Sequence, residues 1–256
     1  MCGRFVITSP PAALRQAFGY VEQPNFPLRH NIAPTQPVPV VFLENGGRHF
    51  RLMRWGLIPA WTKDPRKISL MFNARSESVQ DKPAFKYAMK RRRCLIPADG
   101  YYEWQDAGGR RRRPYFIYRH DRRPVGFAAL AETWMGPNGE EMDSVAIVTA
   151  PASLDLAVLH DRVPVTIAPE DFERWLDCRA NDVETVMALL TGPEPGEFTW
   201  HQVSRRVNRA ENDDAQLILP ITDEEREAEE APKPARKAAP RKPAPAAPDD
   251  GQGSLF

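Results

Sequence analysis

The amino-acid sequence predicts an α+β fold in which a single domain has an antiparallel, barrel-like β core with a few peripheral helices, plus a disordered C-terminal tail. Predicted strands outnumber predicted helices and do not alternate with them, which favours an antiparallel over a parallel sheet. Of the 26 prolines in 256 residues, 20 fall in the first 221 residues, about 9% against a usual 5%. A proline content this high indicates short strands joined by loops.

Nine segments place β-branched and aromatic residues between turn-forming residues, the pattern of β-strands. They span residues 40–43, 50–55, 93–96, 101–105, 115–118, 126–130, 144–149, 165–167 and 200–203. Between the fourth and the fifth, Gly108 and Gly109 predict a hairpin turn, because glycine adopts the positive φ angles that tight turns require.

Four helices are predicted. In the first, Ser9 is the cap, Pro10 and Pro11 lie in the first turn, and Leu14 and Phe18 share one face. The others are a helix opened by Pro169 with Phe172, Trp175 and Leu176 on one face, a helix at 182–190, and a short helix at 152–159 that leads into His160.

Residues 222–256 are predicted to be a disordered tail, and residues 1–221 the folded domain. From Thr222 to Ser254 there is no Val, Ile, Leu, Met, Phe, Trp or Tyr, so this stretch buries too little surface to offset its ordering entropy. The tail has eight acidic and six basic residues, a net charge of −2. The chain's net charge of +1 therefore conceals a domain of about +3, which is compatible with a nucleic-acid partner.

Other classes of protein are disfavoured by what the sequence lacks. It has neither a run of about 18 apolar residues nor an apolar segment at its N-terminus, so we expect a cytoplasmic, nucleoid-associated protein with no membrane contact. The three cysteines, at positions 2, 94 and 178, are odd in number and far apart, and the five histidines are dispersed. We therefore expect no disulfide framework and no metal site. We also expect no organic cofactor, and a monomer as the default oligomeric state.

Cys2 is the residue with the most distinctive chemistry. If Met1 is removed, Cys2 carries a free α-amine and a thiol on one residue, and an α-amine titrates near 7.7–8.0, so part of it is nucleophilic at neutral pH. Such a 1,2-aminothiol forms an imine with an aldehyde, and its thiol then closes a five-membered thiazolidine ring. A cysteine in second position can also carry no chemistry at all.

Seven short blocks bear on this choice: MCGRF at 1–5, NIAP at 31–34, RWGLIP at 54–59, NARSE at 73–77, CLIPADGYYEW at 94–104, HDRVP at 160–164 and VS at 203–204. In this order they resemble the SRAP family (SOS-response-associated peptidase), the abasic-site processing proteins. The resemblance implies a sensor of abasic sites in single-stranded DNA that forms a covalent thiazolidine crosslink through Cys2 and so shields the lesion. It also implies an autopeptidase assignment and a lyase-like activity.

The resemblance gives catalytic roles to two further ionisable residues. Glu103 lies between Tyr102 and Trp104 in an apolar strand, where desolvation raises the pKa of a carboxyl; the alternative is an outward-facing glutamate. The family pattern assigns it proton transfer. His160 follows an apolar run, which alone favours a buried structural histidine. The family pattern assigns it sugar ring opening and proton transfer, with Val163 in place of the usual Met.

The resemblance also indicates how DNA is held. Asn73 is assigned to positioning of the sugar or of the chain terminus. The predicted DNA-binding residues are Arg4, Arg75, Arg162, Trp61 and Trp104. Guanidinium groups bind phosphates, and indole rings stack on unpaired bases, although a tryptophan is more often part of a core. The basic clusters at 90–93, 110–113, 119–123 and 205–209 fit either solvated faces or a groove that follows the DNA backbone.

The last five residues resemble the pentapeptide by which bacterial replication proteins bind the sliding clamp. Gln252, Leu255 and Phe256 are the predicted partner-binding residues, and Gly253 stands where the pentapeptide usually has Leu. Two alternative functions remain open. One is an N-terminal-nucleophile cysteine peptidase acting on protein substrates, and the other is a non-enzymatic single-stranded DNA adaptor that brings the clamp to damage.

Overall fold

The computed structural model describes residues 2–106, 108 and 112–230. The strands in this part of the chain are Phe5–Ile7 (β1), Arg29–Ile32 (β2), Pro37–Glu44 (β3), Gly47–Trp55 (β4), Asn73–Arg75 (β5), Arg93–Ala98 (β6), Gly100–Gln105 (β7), Arg113–Arg119 (β8), Val125–Met135 (β9), Glu141–Pro151 (β10), Arg162–Pro164 (β11), Thr166–Ile167 (β12) and Phe198–Gln202 (β13). The α-helices are Pro11–Phe18 (α1), Lys86–Arg91 (α2), Phe172–Leu176 (α3), Val183–Met187 (α4) and Asp223–Glu230 (α5).

Five strands, in the order β4-β3-β6-β9-β10, form a closed barrel. β10 completes it by pairing antiparallel with β9 and parallel with β4, at Ser144 to Arg54 and Val145 to Trp55. Closure leaves these strands without free edges, and the side chains that point inward fill the interior. The predicted α+β fold with a barrel-like core is confirmed, and the parallel closing pair is a departure from a wholly antiparallel barrel.

The second sheet, in the order β13-β8-β7-β1-β2, packs one face on the barrel. Side chains alternate along its strands, so Phe5 joins the barrel core while Val6 joins a smaller apolar cluster on the opposite face. The Phe5 ring lies 5.1 Å from the Trp55 ring and 6.0 Å from the Phe127 ring, both edge to face. This packing fixes the start of the chain against the barrel.

All nine predicted strands are present, and four further strands of three or four residues (β1, β2, β5 and β11) were not predicted. The predicted hairpin turn falls partly on Gly109, outside the described residues, but β7 and β8 on either side of it pair antiparallel. The helices opened by Pro169 and by Asp182 are confirmed as α3 and α4. Helix α2 was not predicted.

Three expectations about helices and the tail were wrong. Ser9 does not cap α1; its hydroxyl donates to Asp99, whose carboxylate also accepts from the backbone N–H groups of Thr8 and Ser9, and α1 begins after Pro10. Residues 152–159 form successive turns rather than a helix. The first part of the predicted tail forms α5, because Thr222 and Glu225 make a reciprocal cap at its start. Residues 231–256 lie outside the described residues.

A helix that crosses a bilayer needs about 20 mostly apolar residues. No helix in the described part of the chain has that length and hydropathy.

Candidate functional site at Cys2

Cys2 is completely buried where β1 of the second sheet meets β7. Phe5 pairs with Tyr101, and the Tyr102 N–H donates to the Arg4 carbonyl oxygen at 2.9 Å. Continuing this antiparallel register by two residues places Gly3 opposite Glu103. The pairing of two short strands therefore brings residues about 100 positions apart into one site.

Asn73 holds the backbone of Cys2. Its Nδ2 donates to the Cys2 carbonyl oxygen at 2.8 Å, and its position is set by β5, which pairs parallel with β10 at Ile147. The Asn73 Oδ1 is buried and has no hydrogen-bond partner among the described residues. A buried acceptor left without a donor is costly, so this oxygen is available to a donor on a substrate or on the Cys2 amine.

Glu103 is 2% exposed, and burial raises its pKa to about 7. Burial also raises the pKa of the Cys2 thiol, and the negative charge of Glu103 raises it further. The thiol is therefore protonated at neutral pH, whereas the carboxyl is close to its midpoint. A carboxyl whose pKa lies near 7 is the kind of base that is useful at neutral pH.

His160 follows the turns at 153–159, which a hydrogen bond from Gln105 Nε2 to the Val158 carbonyl oxygen (3.0 Å) ties to the end of β7. Burial lowers the pKa of His160, so the ring is neutral at pH 7. Its Nδ1 accepts the Arg162 N–H at 3.0 Å, which places the ring proton on Nε2. The same Nδ1 lies 2.7 Å from Asp161 Oδ1, a contact that becomes favourable once the ring is protonated.

Asp161 links His160 to the rest of the site. After burial, the negative charge of Asp161 is among the causes that raise the pKa of Glu103. A hydrogen bond thus joins Asn73 to Cys2, and the charge of Glu103 acts on the Cys2 thiol. Asp161, the residue after His160, connects that histidine to Glu103 through its charge. The structure places the four predicted catalytic residues in one region, at the edge where the second sheet meets β10 and β11.

The predicted DNA-binding residues differ in how available they are. Arg75 is exposed at the end of β5, two residues after Asn73, and Trp61 is 66% exposed. Arg162 is buried, and its guanidinium binds the Glu77 carboxylate and the Thr149 carbonyl oxygen. These contacts favour an anchoring role for Arg162, which fixes the backbone next to His160.

Arg4 and Trp104 also bind other parts of the protein. The Arg4 guanidinium donates to Asn31 Oδ1 at 2.9 Å and to the carbonyl oxygens of Val207 and Asn208 at 2.8 and 3.3 Å. The indole N–H of Trp104 donates to Asn208 Oδ1 at 2.7 Å. Together they hold the segment after β13 against β1 and β7, and contact of these two residues with DNA stays a prediction.

The sequence interpretation missed the structural role of Asn31. This side chain is fully buried, and its Nδ2 donates to the carbonyl oxygens of Val207, Arg209 and Asn212. The NIAP block that contains it was the available signal, although no role was assigned. Gln105 and Asp161, which connect β7 to His160, were also missed; Asp161 lies in the HDRVP block without an assigned role, and no sequence pattern indicated Gln105.

A cavity of about 780 Å³ lies at the other end of the barrel, lined by residues that include Arg51, Cys94 and Asp143. Asp143 and Thr149 are six residues apart on β10, about 20 Å at 3.3 Å per residue. The Cys2 site, which adjoins the Thr149 end of β10, is thus remote from this cavity. In the part of the chain that the structure describes, no three His, Cys, Asp or Glu side chains are grouped as metal ligands.

The barrel with its second sheet, and the buried Cys2 at their junction, agree with one family. The sequence profile of the SOS response associated peptidase (SRAP) family matches residues 1–210, and the chain belongs to this family. Abasic site processing protein YoqW of Bacillus subtilis is 30% identical over 221 residues, covering 85% of this chain and 99% of YoqW. Abasic site processing protein YedK of Escherichia coli is 34% identical over 194 residues, covering 75% and 85%. The vertebrate relative HMCES of Gallus gallus, also named an abasic site processing protein, is 31% identical over 266 residues, covering 86% and 78%.

Solved structures show the same fold. A protein from Bacteroides thetaiotaomicron superimposes with a TM-score of 0.77 at 20% identity, covering 86% of this chain and 100% of that one. A protein from Bordetella bronchiseptica gives a TM-score of 0.68 at 24% identity, covering 79% and 100%.

Proposed function

We propose that this protein processes abasic sites in single-stranded DNA, capturing the sugar aldehyde covalently through Cys2. The observation that carries the proposal is the arrangement around Cys2: its carbonyl oxygen is held by Asn73, and its buried thiol lies in the field of Glu103. The names of the relatives, which are abasic site processing proteins, support the same substrate.

The reaction begins once Met1 has been removed. The Cys2 amine adds to C1′ of the open-chain sugar, and the resulting carbinolamine loses water to give an imine. The thiol then adds to the imine carbon, its proton passes to the nitrogen, and a thiazolidine ring closes. One water is released and nothing is oxidised or reduced, so the protein's own groups and the substrate's aldehyde are sufficient.

Two residues move protons in this scheme. Glu103, with its pKa raised to about 7, takes the proton of the Cys2 thiol as ring closure proceeds. His160 is neutral, so it accepts the C1′ hydroxyl proton of the closed sugar and returns a proton to the ring oxygen as the C1′–O4′ bond breaks, which opens the sugar to its aldehyde. The imine has a second outcome, elimination of the 3′ phosphate, which is the proposed lyase-like activity; fast ring closure by the thiol suppresses it.

The second candidate is a cysteine peptidase, which the description of the family favours. Peptide cleavage by a thiol requires a thiolate, and reactive cysteines have lowered pKa values. Burial and Glu103 raise the pKa of the Cys2 thiol instead. Capture of an aldehyde fits this site better, because its first nucleophile is the amine and the thiol is needed only for ring closure.

The test uses single-stranded oligonucleotides with one abasic site or with none, incubated with the protein and separated on a denaturing gel. We expect a heat-stable shifted band with the abasic site alone. Cys2→Ala and a protein with an uncleaved N-terminal extension lose the band, whereas Cys178→Ala, in a half-buried cysteine outside the site, retains it.

Full crosslinking by Cys2→Ala would overturn the proposal. Cleavage of peptide substrates without DNA capture would favour the peptidase. Binding of single-stranded DNA with neither crosslinking nor cleavage would favour the non-enzymatic adaptor.

A further inference from the structure

Helix α5 is acidic and is attached to the body by its last two residues. It contains six acidic residues and one basic residue, and none of its side chains is fully buried. Glu229 Oε1 accepts from the Ser204 hydroxyl at 2.9 Å and from the Arg205 N–H at 2.7 Å. Glu230 Oε1 lies 2.7 Å from Arg113 Nη2. Polar contacts to a basic surface therefore account for the position of this helix.

The end of α5 concentrates negative charge. Neighbouring carboxylates repel one another, so acidic residues this close together are unfavourable unless cations face them. Arg205 supplies one cation, and its Nη1 also donates to the Glu229 carbonyl oxygen at 2.6 Å. Arg113 supplies the other. Two carboxylates thus lie on a surface made of two guanidinium groups, a hydroxyl and a backbone N–H.

This basic surface, defined here as Arg113, Ser204 and Arg205, adjoins the Cys2 site. Arg113 pairs in register with Gln105, the residue that binds the turn before His160. The neighbouring Arg112 is exposed, and its positive charge contributes to the lowered pKa of His160. Under the proposed function, in which the sugar of a DNA strand reaches Cys2, these arginines lie on one side of the site that the strand enters.

We propose that the basic surface is a binding site for the phosphodiester backbone of single-stranded DNA and that α5 competes with DNA for it. This inference rests on the proposed function. A guanidinium, a hydroxyl and a backbone N–H bind a phosphate with the same geometry that they offer a carboxylate. Partly exposed ion pairs are individually weak and are screened by salt, so a polyanion displaces the helix. The helix thereby excludes weakly held anions, while a DNA strand that also engages the Cys2 site binds.

The test compares two double variants of the full chain. Glu229→Gln with Glu230→Gln removes the two carboxylates that contact the basic surface. The matched control is Glu224→Gln with Glu227→Gln, which removes the same charge from exposed positions of α5 that form no side-chain contact with the described part of the body. Binding of a fluorescein-labelled single-stranded oligonucleotide without an abasic site is followed by fluorescence anisotropy at several salt concentrations.

We expect the Glu229/Glu230 variant to bind this oligonucleotide about threefold to tenfold more tightly than the unmodified protein, and the control to bind with nearly unchanged affinity. Arg113→Ser with Arg205→Ser, added to the Glu229/Glu230 variant, removes the gain and lowers the dependence of affinity on salt, because fewer phosphates are neutralised. Thermal unfolding of each variant checks that the domain remains folded.

An unchanged affinity in the Glu229/Glu230 variant overturns the inference, and so does an equal gain in the control, which reports net charge alone. The crosslinking gel separates this inference from the proposed function. If the protein crosslinks but the two double variants bind DNA equally, the proposed function stands and the competition between α5 and DNA is overturned. If the affinities differ but no crosslink forms, the competition stands and the proposed function is overturned.

Discussion

In the proposed mechanism, the protonation state of Glu103 controls ring closure at Cys2. Its pKa of about 7 means that ring closure is limited by the fraction of carboxylate below that pH. The Cys2 amine also loses its proton as pH rises, with a midpoint near 7.7–8.0. Below pH 7, the pH dependence of the crosslinking rate therefore reflects deprotonation of both the Glu103 carboxyl and the Cys2 amine. Between pH 7 and 8 it reflects the amine alone.

The crosslinking rate should accordingly rise more steeply with pH below 7 than above it. In Glu103→Gln the steeper part is lost and only the dependence on the amine remains, with a rate about 100-fold lower at pH 7. Rates measured on quenched samples between pH 5 and 9 provide the check. Glu132→Gln, at another buried glutamate outside the site, is the control. A Glu103→Gln profile parallel to that of the unmodified protein would show that this carboxyl is not the base.

The same pKa shift has a consequence for stability. The pKa of this carboxyl is about 7 in the folded chain against an ordinary value of 4.5, so between these pH values the folded state binds more protons than the unfolded state. The free energy of unfolding therefore falls as pH rises from 4.5 to 7, and the loss is complete above 7. The shift corresponds to about 3 kcal/mol. Glu103→Gln removes this pH dependence. We therefore expect the unfolding free energy of the variant, measured in urea, to rise relative to that of the unmodified protein as pH increases from 5 to 8. A difference that stays constant over this range would contradict the raised pKa of Glu103.

In the proposed mechanism, Asn73 acts on the reaction by holding Cys2 in place. Asn73→Ala removes the 2.8 Å hydrogen bond to the Cys2 carbonyl oxygen, and misplacement of a nucleophile by about 1 Å slows a reaction by about 100-fold. We expect the single-turnover crosslinking rate to fall by about tenfold to 100-fold, with a loss of about 1 kcal/mol in unfolding free energy. A normal rate in a protein of reduced stability would limit Asn73 to a structural role.

At the scale of elements, the segment after β13 depends on Asn31 in β2. The amide of Asn31 is fully buried and binds three carbonyl oxygens of that segment, besides accepting from Arg4. Asn31→Ala removes these four hydrogen bonds, although the Val207 carbonyl oxygen keeps its bond from Arg4. Losses of this kind in a buried site cost about 2–4 kcal/mol.

Urea unfolding measures that loss, and hydrogen exchange at residues 205–213 should accelerate more than exchange within β9 or β10. Asn138→Ala, in an exposed turn, is the control and should change stability by less than about 0.5 kcal/mol. If exchange accelerates equally everywhere, Asn31 supports the whole domain rather than this segment.

The elements that the sequence did not predict share a physical cause. β1, β2, β5 and β11 contain three or four residues each, too few for an alternating pattern to be visible. They are strands because longer neighbours pair with them: β5 lies on β10, and β1 lies between β7 and β2. Eight of the nine predicted strands have five or more residues, so their pattern was sufficient; β12, with two residues, is the exception. Helix α5 was missed because the prediction of disorder rested on the lack of apolar residues. That criterion tests whether a segment can join a core, and it does not detect a helix that is stabilised by a cap and ion pairs.

At the scale of the whole molecule, the Cys2 site exists because the second sheet packs on the barrel. The sequence indicated Cys2, Asn73, Glu103 and His160 as site residues through family motifs, but only the pairing of β1 with β7 and of β5 with β10 places them together. The internal partners of Arg4 and Arg162 could not be predicted, since a guanidinium binds carbonyl oxygens that carry no sequence signature. Contacts of this kind distinguish arginines that bind other parts of the protein from arginines whose guanidinium groups are exposed.

The C-terminal peptide gives a prediction at the same scale. Gln252, Leu255 and Phe256 lie outside the described residues, and clamp binding by them stays a prediction. An apolar pair at the end of a polar tether is suited to a groove on a partner, where a few anchor residues carry most of the binding energy.

In the full chain, Leu255→Ala with Phe256→Ala should weaken binding to a purified bacterial sliding clamp at least tenfold in a surface-immobilised binding assay. Pro243→Ala with Pro245→Ala, in the same tail, should bind normally. Crosslinking to a free oligonucleotide should be unchanged in both variants, because the peptide is not part of the Cys2 site. Equal clamp binding by all three proteins would mean that the tail has no clamp-binding peptide.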